Sequence, residues 1–464
     1  MQTGTALTTA QLIRLFDRPG PRYTSYPTAV EFTNAFGERE YLAKLDEAAG
    51  AADEPLSLYV HLPFCQARCS FCGCSVIITE KRYVAARYLE YLHCELEMVA
   101  ARLGGRRRVV QYHWGGGTPT YLEPSQMEAL QAQVVRHFDL APDAEQAIEV
   151  DPRVTTHEQL DVLRRLGFNR LSVGVQDFSP VVQDAIGRHQ TEAGTRELYA
   201  AAREAGFQSI NFDLVYGLPQ QTLDSFARTL DSVVELRPDR LAVYSYAHVP
   251  WIKGNQKRIE PKDLPPAELK FELFSEALET FVGAGYQQIG MDHFAVPGDE
   301  LASASAARVL HRNFMGYTTR PAPDQIGFGV TSIGDVRGAY AQNTKKLSTY
   351  YACIDAGRLP TERGLVLTEE DKLRRHVITQ LMCNFVVDAR DIGRRSSIDF
   401  ATHFAPELER LRAPDGPEAF GFVRIGREGV EVLPPGRRFV RNICMAFDPY
   451  LQRHAAKPVF SRTV

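Results

Sequence analysis

Short segments rich in β-branched and aromatic residues recur through the first half of the chain, and each is bounded by turn-forming residues. They lie at residues 56–61, 109–114, 147–150, 171–175, 210–215 and 241–246. Runs of this length and composition predict β-strands.

Between these segments, apolar residues recur at spacings of three and four, which predicts amphipathic α-helices. The pattern is clearest over residues 83–103, 124–138, 192–205 and 222–236. Gly167, Gly206 and Gly285 stand where helices of this rhythm should end. The alternation predicts an α/β fold with a parallel sheet, either a partial barrel or an open doubly wound sheet. Periodicity alone leaves both arrangements open.

The alternation of strand and helix stops near residue 325. Beyond it, the patterns predict helices over residues 371–383 and 400–412 and a hairpin-like stretch over residues 421–438. We therefore expect three parts. They are an N-terminal extension over residues 1–50 that contacts the active site, a strand–helix domain over 51–325, and a smaller, mainly helical domain over 326–464.

The overall charge is nearly balanced. The 464 residues carry 53 Lys and Arg against 57 Asp and Glu, which gives a net charge of −4. A nucleic-acid partner would need a basic surface, of which this balance gives no sign. No apolar stretch is long enough to cross a membrane, and the first residues do not resemble a secretory signal. We expect a cytoplasmic monomer with no membrane or nucleic-acid partner.

Four of the eight cysteines fall within ten residues, in the loop after the first predicted strand. Cys65, Cys69, Cys72 and Cys74 have the spacing C-x3-C-x2-C-x-C. In a chain without a secretory signal, such thiols are metal ligands more often than disulfides. Three thiolates at this spacing can hold three irons of a cubane cluster and leave the fourth iron open. An amino acid bearing a sulfonium group would chelate that iron and accept one electron.

Two other chemistries fit part of the same loop. A structural zinc ion needs four tetrahedral ligands, and Cys74 would be the fourth, although no second pair of cysteines accompanies the loop. A redox disulfide between Cys72 and Cys74 would have one intervening residue, where such motifs normally have two. The spacing favours the cluster over both.

Polar or glycine-rich residues stand at the C-terminal ends of five successive predicted strands. They are the GGGTP run at residues 115–119, Glu149 with Asp151, Gln176 with Asp177, Asp213, and Tyr246 with His248. Glycines allow close backbone approach and would offer N–H groups to a ligand's carboxylate. A single carboxylate at a strand end often caps the next helix. Repetition at successive strand ends instead indicates a functional site.

The cysteine spacing, with an aromatic residue before the third cysteine, resembles the radical S-adenosylmethionine enzymes. That resemblance implies a partial (β/α)6 barrel with the cluster loop after its first strand, and chemistry at the C-terminal ends of the strands. It also implies a [4Fe-4S] cluster and S-adenosyl-L-methionine as cofactors.

Motifs along nearly the whole chain narrow the resemblance to the oxygen-independent coproporphyrinogen III oxidase (dehydrogenase) family. They are GPRYTSYPTA from residue 20, YVHLPFC from 59, HWGGGTPTYL from 113, IEVDPR from 148, DLVYGLPQQT from 213, GMDHFA from 290, RNFMGYTT from 312, CNF from 383 and RNICMAFD from 441. Gly187 stands where the family is expected to have Asn, and Met315 where it is expected to have Gln.

The resemblance implies a role for each matching site residue. The [4Fe-4S] cluster would be ligated by Cys65, Cys69 and Cys72, with Cys74 outside the ligand set but needed for activity. The first S-adenosylmethionine would be lined by Tyr59, Gly116, Glu149 and Ile333. A second molecule would be contacted by Phe71, Gly117, Thr118, Gln176, Arg188, Asp213 and Ala247.

The implied reaction is a radical oxidative decarboxylation. It converts two propionate side chains of coproporphyrinogen III to vinyl groups and gives protoporphyrinogen IX in anaerobic haem biosynthesis. An electron donor such as flavodoxin or ferredoxin would be a partner. The substrate's carboxylates need cationic or hydrogen-bonding contacts. Candidates in the matching motifs are Arg22, Tyr23, His311, Arg312 and Arg320.

Three other functions stay open at this point. A haem-binding chaperone of the same superfamily would share the cluster loop, but it is expected to lack the RYTSYPTA and GYTT segments present here. A radical enzyme acting on tRNA would usually carry a basic RNA-binding module. A zinc-stabilised structural protein would contain zinc in place of iron and sulfide.

Overall fold

The computed structural model describes residues 7–454 and 459–463. Its centre is a sheet of 12 strands. In chain order these strands are β1 (Leu56–Leu62), β2 (Arg108–Gly116), β3 (Asp139–Val150), β4 (Arg170–Gln176), β5 (Ser209–Tyr216), β6 (Arg240–Ser245), β7 (Gln287–Gly290), β8 (His293–Ala295), β9 (Asp324–Phe328), β10 (Ile333–Val336), β11 (Ala339–Asn343) and β12 (Thr361–Val366).

The six predicted strands are confirmed as β1 to β6. They lie side by side in chain order, and every neighbouring pair among them is parallel. In a parallel sheet the chain must run back from the end of one strand to the start of the next. Here helices form these crossover connections. The result is the predicted α/β fold built on a partial (β/α)6 barrel.

Helices cover the outer face of the sheet and build the C-terminal part of the chain. In chain order they are α1 (Thr9–Phe16), α2 (Glu38–Ala49), α3 (Arg82–Leu103), α4 (Pro124–His137), α5 (His157–Arg165), α6 (Pro180–Ile186), α7 (Glu192–Glu204), α8 (Leu223–Leu236), α9 (Ala267–Gly283), α10 (Glu300–Ala306), α11 (Leu347–Asp355), α12 (Glu369–Asn384), α13 (Ala389–Ser396), α14 (Phe400–His403), α15 (Ala405–Arg412) and α16 (Val440–Met445). No helix in the described ranges is both long and apolar enough to span a membrane.

The sheet extends further along the chain than the sequence pattern predicts. Strand β9 pairs in parallel with β1, and β10, β11 and β12 then add antiparallel neighbours. The expected boundary at residue 325 therefore falls inside β9, and the chain contributes to this sheet until Val366. Helices dominate only beyond that strand. The division into three domains stays a prediction.

The C-terminal helices pack around a second hydrophobic core. The predicted hairpin is formed by Val423–Gly426 and Gly429–Val432, which pair antiparallel beside Val386–Asp388. Two tyrosines of the N-terminal extension, Tyr23 and Tyr26, are buried in the same core. Helix α2 instead buries three side chains in the core of the large sheet. The extension thus contributes side chains to both hydrophobic cores.

Candidate active site

A cavity of about 650 Å³ opens at the C-terminal ends of β1 to β6. The cysteine loop forms one wall, and residues at the ends of β2 to β6 form much of the rest, together with residues 20–22 and 459–461. Of the predicted cluster, cofactor and catalytic residues, all except Tyr59 and Ile333 line it. The lining set is Cys65, Cys69, Phe71, Cys72, Cys74, Gly116, Gly117, Thr118, Glu149, Gln176, Arg188, Asp213 and Ala247.

Each of the three predicted cluster ligands has a polar group directed at its sulfur. The Cys65 Sγ lies 3.4 Å from the Thr118 hydroxyl, and the backbone N–H of Cys74 donates to the Cys72 Sγ at 3.4 Å. The Cys69 Sγ accepts from two guanidinium groups, those of Arg153 at 3.8 Å and Arg188 at 3.9 Å. Such donors stabilise thiolates, which are the form that ligates iron.

The donor set fits an iron–sulfur cluster. In the described part of the chain, no three His, Cys, Asp or Glu side chains converge as the ligands of one metal ion do. A cubane takes a single thiolate at each protein-bound iron, so its ligands stand apart around it. The three sulfurs share a cavity wall, and each has a polar group within hydrogen-bonding distance, an arrangement that suits such a cluster.

Two amides from the segment after β6 fix the cysteine loop. The side-chain N–H groups of Asn255 donate to the carbonyl oxygens of Cys69, Ser70 and Cys72, at 3.2, 3.0 and 3.0 Å. The Gln256 amide bridges the carbonyls of Phe71 and Ala247, at 2.9 and 3.1 Å. These amides couple the loop to the end of β6, and sequence reasoning missed both. Only their position in space gives them this role.

The glycine run after β2 packs directly against the cysteine loop. A Cβ on Gly117 would lie 2.6 Å from the Pro63 carbonyl carbon, so only glycine fits there. The N–H groups of Gly117 and Thr118 donate to the carbonyls of Leu62 and Phe64, at 2.9 and 2.8 Å. The expectation that these N–H groups are free for a ligand's carboxylate is therefore wrong. The run positions the loop instead.

Glu149 presents an ionised carboxylate to the cavity. One of its oxygens accepts from the N–H of Gly116 at 3.0 Å, and the other lies 3.5 Å from the His113 Nε2. Burial alone would raise the pKa of Glu149, but His113 and the Gly116 N–H lower it below its ordinary value. A fixed anion of this kind suits the ammonium group of an amino acid.

A cluster of buried ion pairs lies next to the Cys69 sulfur. Asp151 accepts from Arg188 at 3.0 Å and from Arg153 at 2.7 Å. Burial opposes ionisation of Asp151, but the two guanidinium groups lower its pKa. Two cations with one carboxylate leave a local positive charge beside the sulfur of Cys69. The sequence predicts Asp151 only as one of the polar strand-end residues, and it gives Arg153 no site role.

Asp213 is held within β5 by neutral partners. Its carboxylate accepts from the Ser172 hydroxyl at 2.9 Å and the Asn211 amide at 2.8 Å. Burial raises the pKa of Asp213 to about 7, and these hydrogen bonds offset it only in part. Asp213 and Glu149 therefore face the same cavity, but the pKa of Asp213 is raised and that of Glu149 is lowered.

Tyr59 and Ile333 lie outside the cavity wall. The Tyr59 hydroxyl is 3.0 Å from the His61 Nδ1, and its ring stacks on His113, with the centroids 5.9 Å apart. Tyr59 thus supports the histidine beside Glu149. Ile333 is in β10, partly buried next to Phe32 and Tyr340.

The five candidate substrate-binding residues lie in different parts of the structure. Arg22 lines the cavity, and Arg312 donates to the Arg22 carbonyl at 2.8 Å. Tyr23 is buried and donates to Asp448 at 3.0 Å. His311 starts a short strand outside the cavity lining, and Arg320 forms a surface ion pair with Asp143.

The sequence profile of the Radical SAM superfamily matches residues 59–233, the part that carries the cysteine loop and the first five strands. The oxygen-independent coproporphyrinogen III oxidase of Escherichia coli (strain K12) is 47% identical over 453 residues, which cover 98% of either chain. The protein of that name from Synechocystis sp. is 42% identical over 459 residues, with the same coverage.

A solved structure described as the coproporphyrinogen III oxidase of Escherichia coli, a radical SAM enzyme, superimposes with a TM-score of 0.88. It is 47% identical, and the match covers 92% of this chain and 97% of that one. Identity at this level over nearly the full length, with the cysteine loop at the mouth of the barrel, assigns the protein to a family. It belongs to the family of oxygen-independent coproporphyrinogen III oxidases.

Proposed function

We propose that this protein oxidatively decarboxylates two propionate side chains of coproporphyrinogen III to vinyl groups and so forms protoporphyrinogen IX. One observation carries the proposal: three thiols, each with a donor on its sulfur, open into the cavity at the strand ends. The near full-length identity to oxidases of this name supports this reaction over that of a haem-binding chaperone.

The residues of this chain bind, orient and enclose the reactants. A [4Fe-4S] cluster held by Cys65, Cys69 and Cys72, together with S-adenosylmethionine, would supply the radical that removes a hydrogen atom from a propionate. Glu149 offers an anion to an ammonium group. Arg188 and Arg153 offset the charge of the thiolate at Cys69.

The cavity also supports a second S-adenosylmethionine beside the first. The residues assigned to the second molecule extend from the cysteine loop to the ends of β4, β5 and β6 and line one continuous space. Cys74, which is exposed and lines the same cavity, is assigned a role in turnover outside the ligand set. Tyr59 and Ile333 keep their assigned places beside the first molecule, and Tyr59 also contacts His61 and His113.

The remaining assignments follow from the proposed reaction. A low-potential protein such as flavodoxin or ferredoxin would supply electrons. We place the enzyme in the cytoplasm as a monomer that needs neither membrane nor nucleic acid, in agreement with the balanced charge of −4.

An anaerobic assay tests the proposal. Reconstituted protein, dithionite, S-adenosylmethionine and coproporphyrinogen III should yield methionine, 5′-deoxyadenosine and a divinyl product. The variant Cys69→Ala should form none of the three. Stoichiometric haem binding without conversion of coproporphyrinogen III would refute the proposed reaction, as would zinc in place of iron and sulfide in protein purified without oxygen.

A further inference from the structure

A second, smaller cavity adjoins the active-site cavity. Its volume is about 40 Å³, enough for a water molecule or a carboxylate group but not for a larger ligand. Arg22 and Ser245 line both cavities, so a group that enters the small one is anchored next to the large one.

The small cavity has an excess of cationic side chains. Arg22, Lys270, Arg438 and Arg441 line it, together with a single carboxylate, that of Asp292. That carboxylate is already engaged, since it forms an ion pair with Arg22 and lies 2.8 Å from the His293 Nδ1.

Two of the arginines are held by neutral groups. Arg441 donates to the carbonyls of Gly20 and Pro21, at 2.6 and 3.1 Å. Arg438 donates to the Ser275 hydroxyl at 2.8 Å and to the Phe271 carbonyl. Neither arginine forms an ion pair with a residue in the described part of the chain.

Buried cations without a counter-charge are costly, because they lose hydration and gain no ionic partner. Arg441 is only 6% exposed. Burial lowers the pKa of both Arg438 and Arg441 to about 10. A bound anion would supply the counter-charge, and guanidinium groups bind carboxylates with strong, directional hydrogen bonds.

We propose that this cavity is a carboxylate subsite, formed by Arg22, Lys270, Arg438 and Arg441, which holds one propionate of the tetrapyrrole while another reacts in the adjoining cavity. The inference rests on the proposed function, because that function supplies a substrate with four propionates. The subsite would fix the orientation of the macrocycle relative to the cysteine loop. Arg438 and Lys270 would be substrate-positioning residues.

The test compares tetrapyrrole binding to reconstituted protein carrying Arg438→Gln, Lys270→Met or Arg437→Gln. Arg437 is a matched control, since it is adjacent to Arg438 but lies over the Phe385 ring, 4.6 Å from its centroid, and lines a different cavity. The probe is coproporphyrin III, the stable oxidised form of the substrate, and binding is followed by fluorescence. Its tetramethyl ester serves as the uncharged probe.

We expect Arg438→Gln and Lys270→Met each to weaken binding of coproporphyrin III by about tenfold to a hundredfold, the range of one charge-assisted hydrogen bond. Binding of the ester should stay within about twofold of wild type, as should coproporphyrin III binding by Arg437→Gln. Unchanged binding of coproporphyrin III by both subsite variants, or an equal loss for the acid and the ester, would overturn the subsite.

The design separates failure of the subsite from failure of the proposed function. If the function is wrong, wild-type protein will not bind coproporphyrin III selectively or convert coproporphyrinogen III at all. If only the subsite is wrong, wild type will do both and the variants will match it. Circular dichroism of each variant identifies misfolded protein. Because Arg438 and Lys270 lie on different elements, if one variant misfolds the other still tests the subsite.

Discussion

Two carboxylates of the active-site cavity differ in charge although they face the same space. The pKa of Glu149 is lowered by His113 and Gly116, whereas burial raises the pKa of Asp213 to about 7. At neutral pH Glu149 is therefore ionised, and Asp213 is close to half protonated. Glu149 suits a cationic ligand group, and protonated Asp213 is a hydrogen-bond donor.

Because the pKa of Asp213 is raised, we expect the stability of the folded protein to depend on pH. The folded protein retains a proton on Asp213 that the unfolded chain loses near its ordinary pKa of 3.8, so folding loses stability as the pH rises towards 7. A shift of this size corresponds to about 4 kcal/mol, and we expect about half of it because Asp213 faces an open cavity.

The cofactor-free variant Asp213→Asn should therefore gain about 2 kcal/mol over wild type at about pH 8 and almost nothing at about pH 4. Denaturant unfolding of both proteins across this range measures the difference. A stability difference that does not vary with pH would show that Asp213 has an ordinary pKa.

Gly187 illustrates how a departure from a family pattern can be harmless. It ends α6 in the left-handed region, with φ 63° and ψ 39°. Glycine and asparagine are the residues that enter this region most readily. Glycine at the position where the family is expected to have Asn therefore keeps the backbone that leads to Arg188.

At the scale of elements, the cysteine loop depends on Asn255 for its shape. The variant Asn255→Ala removes three hydrogen bonds to loop carbonyls and leaves those oxygens without this partner. We expect a loss of about 1–3 kcal/mol in stability and reduced iron incorporation on reconstitution.

Asn255→Asp is the sharper comparison, because it keeps the size of the side chain and replaces its donor with an acceptor that faces the same carbonyls. It should incorporate iron no better than the alanine variant. Iron incorporation by Asn255→Asp at the wild-type level would contradict the anchoring role.

The close packing of Gly117 against the cysteine loop leads to a second prediction about these elements. The methyl group in Gly117→Ala would overlap the Pro63 backbone at 2.6 Å and push the glycine run away from the cysteine loop. We expect a loss of about 1–3 kcal/mol and weaker S-adenosylmethionine binding by calorimetry. Gly105→Ala is the control, since a Cβ there meets nothing within 4 Å. Equal behaviour of the two variants would refute the close-packing explanation.

The predicted elements agree with the structure where the apolar pattern reflects burial. Strands β1 to β6 are predicted because they carry β-branched and aromatic residues that are buried in the core. The predicted helix over residues 400–412 is instead two helices that meet at Phe404, because Pro406 starts a new first turn in α15. The polar first half of β3 gives no strand signal and was missed.

At the scale of the molecule, both ends of the chain close the same cavity. The N–H of Gly20 donates to the Ser461 carbonyl at 3.0 Å, and the N–H of Thr463 donates to the Arg18 carbonyl at 3.0 Å. Residues 20–22 and 459–461 line the active-site cavity. Three residues of the N-terminal extension thus line this cavity, and the extension's role as a domain that contacts the active site stays a prediction.

Most of the predicted cluster and cofactor residues line the cavity, because the carboxyl ends of parallel strands must meet. Asn255, Arg438 and Arg441 were not predicted. Each acts on residues far away in the sequence, and no local pattern marks such a contact. Ile333 lies on β10 outside the cavity wall, and its place beside the first S-adenosylmethionine stays a prediction.

The central claim is that this chain directs a radical to the propionate side chains of a tetrapyrrole. Coproporphyrinogen III deuterated at the β-carbons of its propionates tests it most directly, with mass spectrometry of the 5′-deoxyadenosine formed under anaerobic reducing conditions. We expect deuterium in the deoxyadenosine, with about two labelled molecules for each divinyl product. Unlabelled deoxyadenosine, or divinyl product formed without S-adenosylmethionine, would contradict the claim.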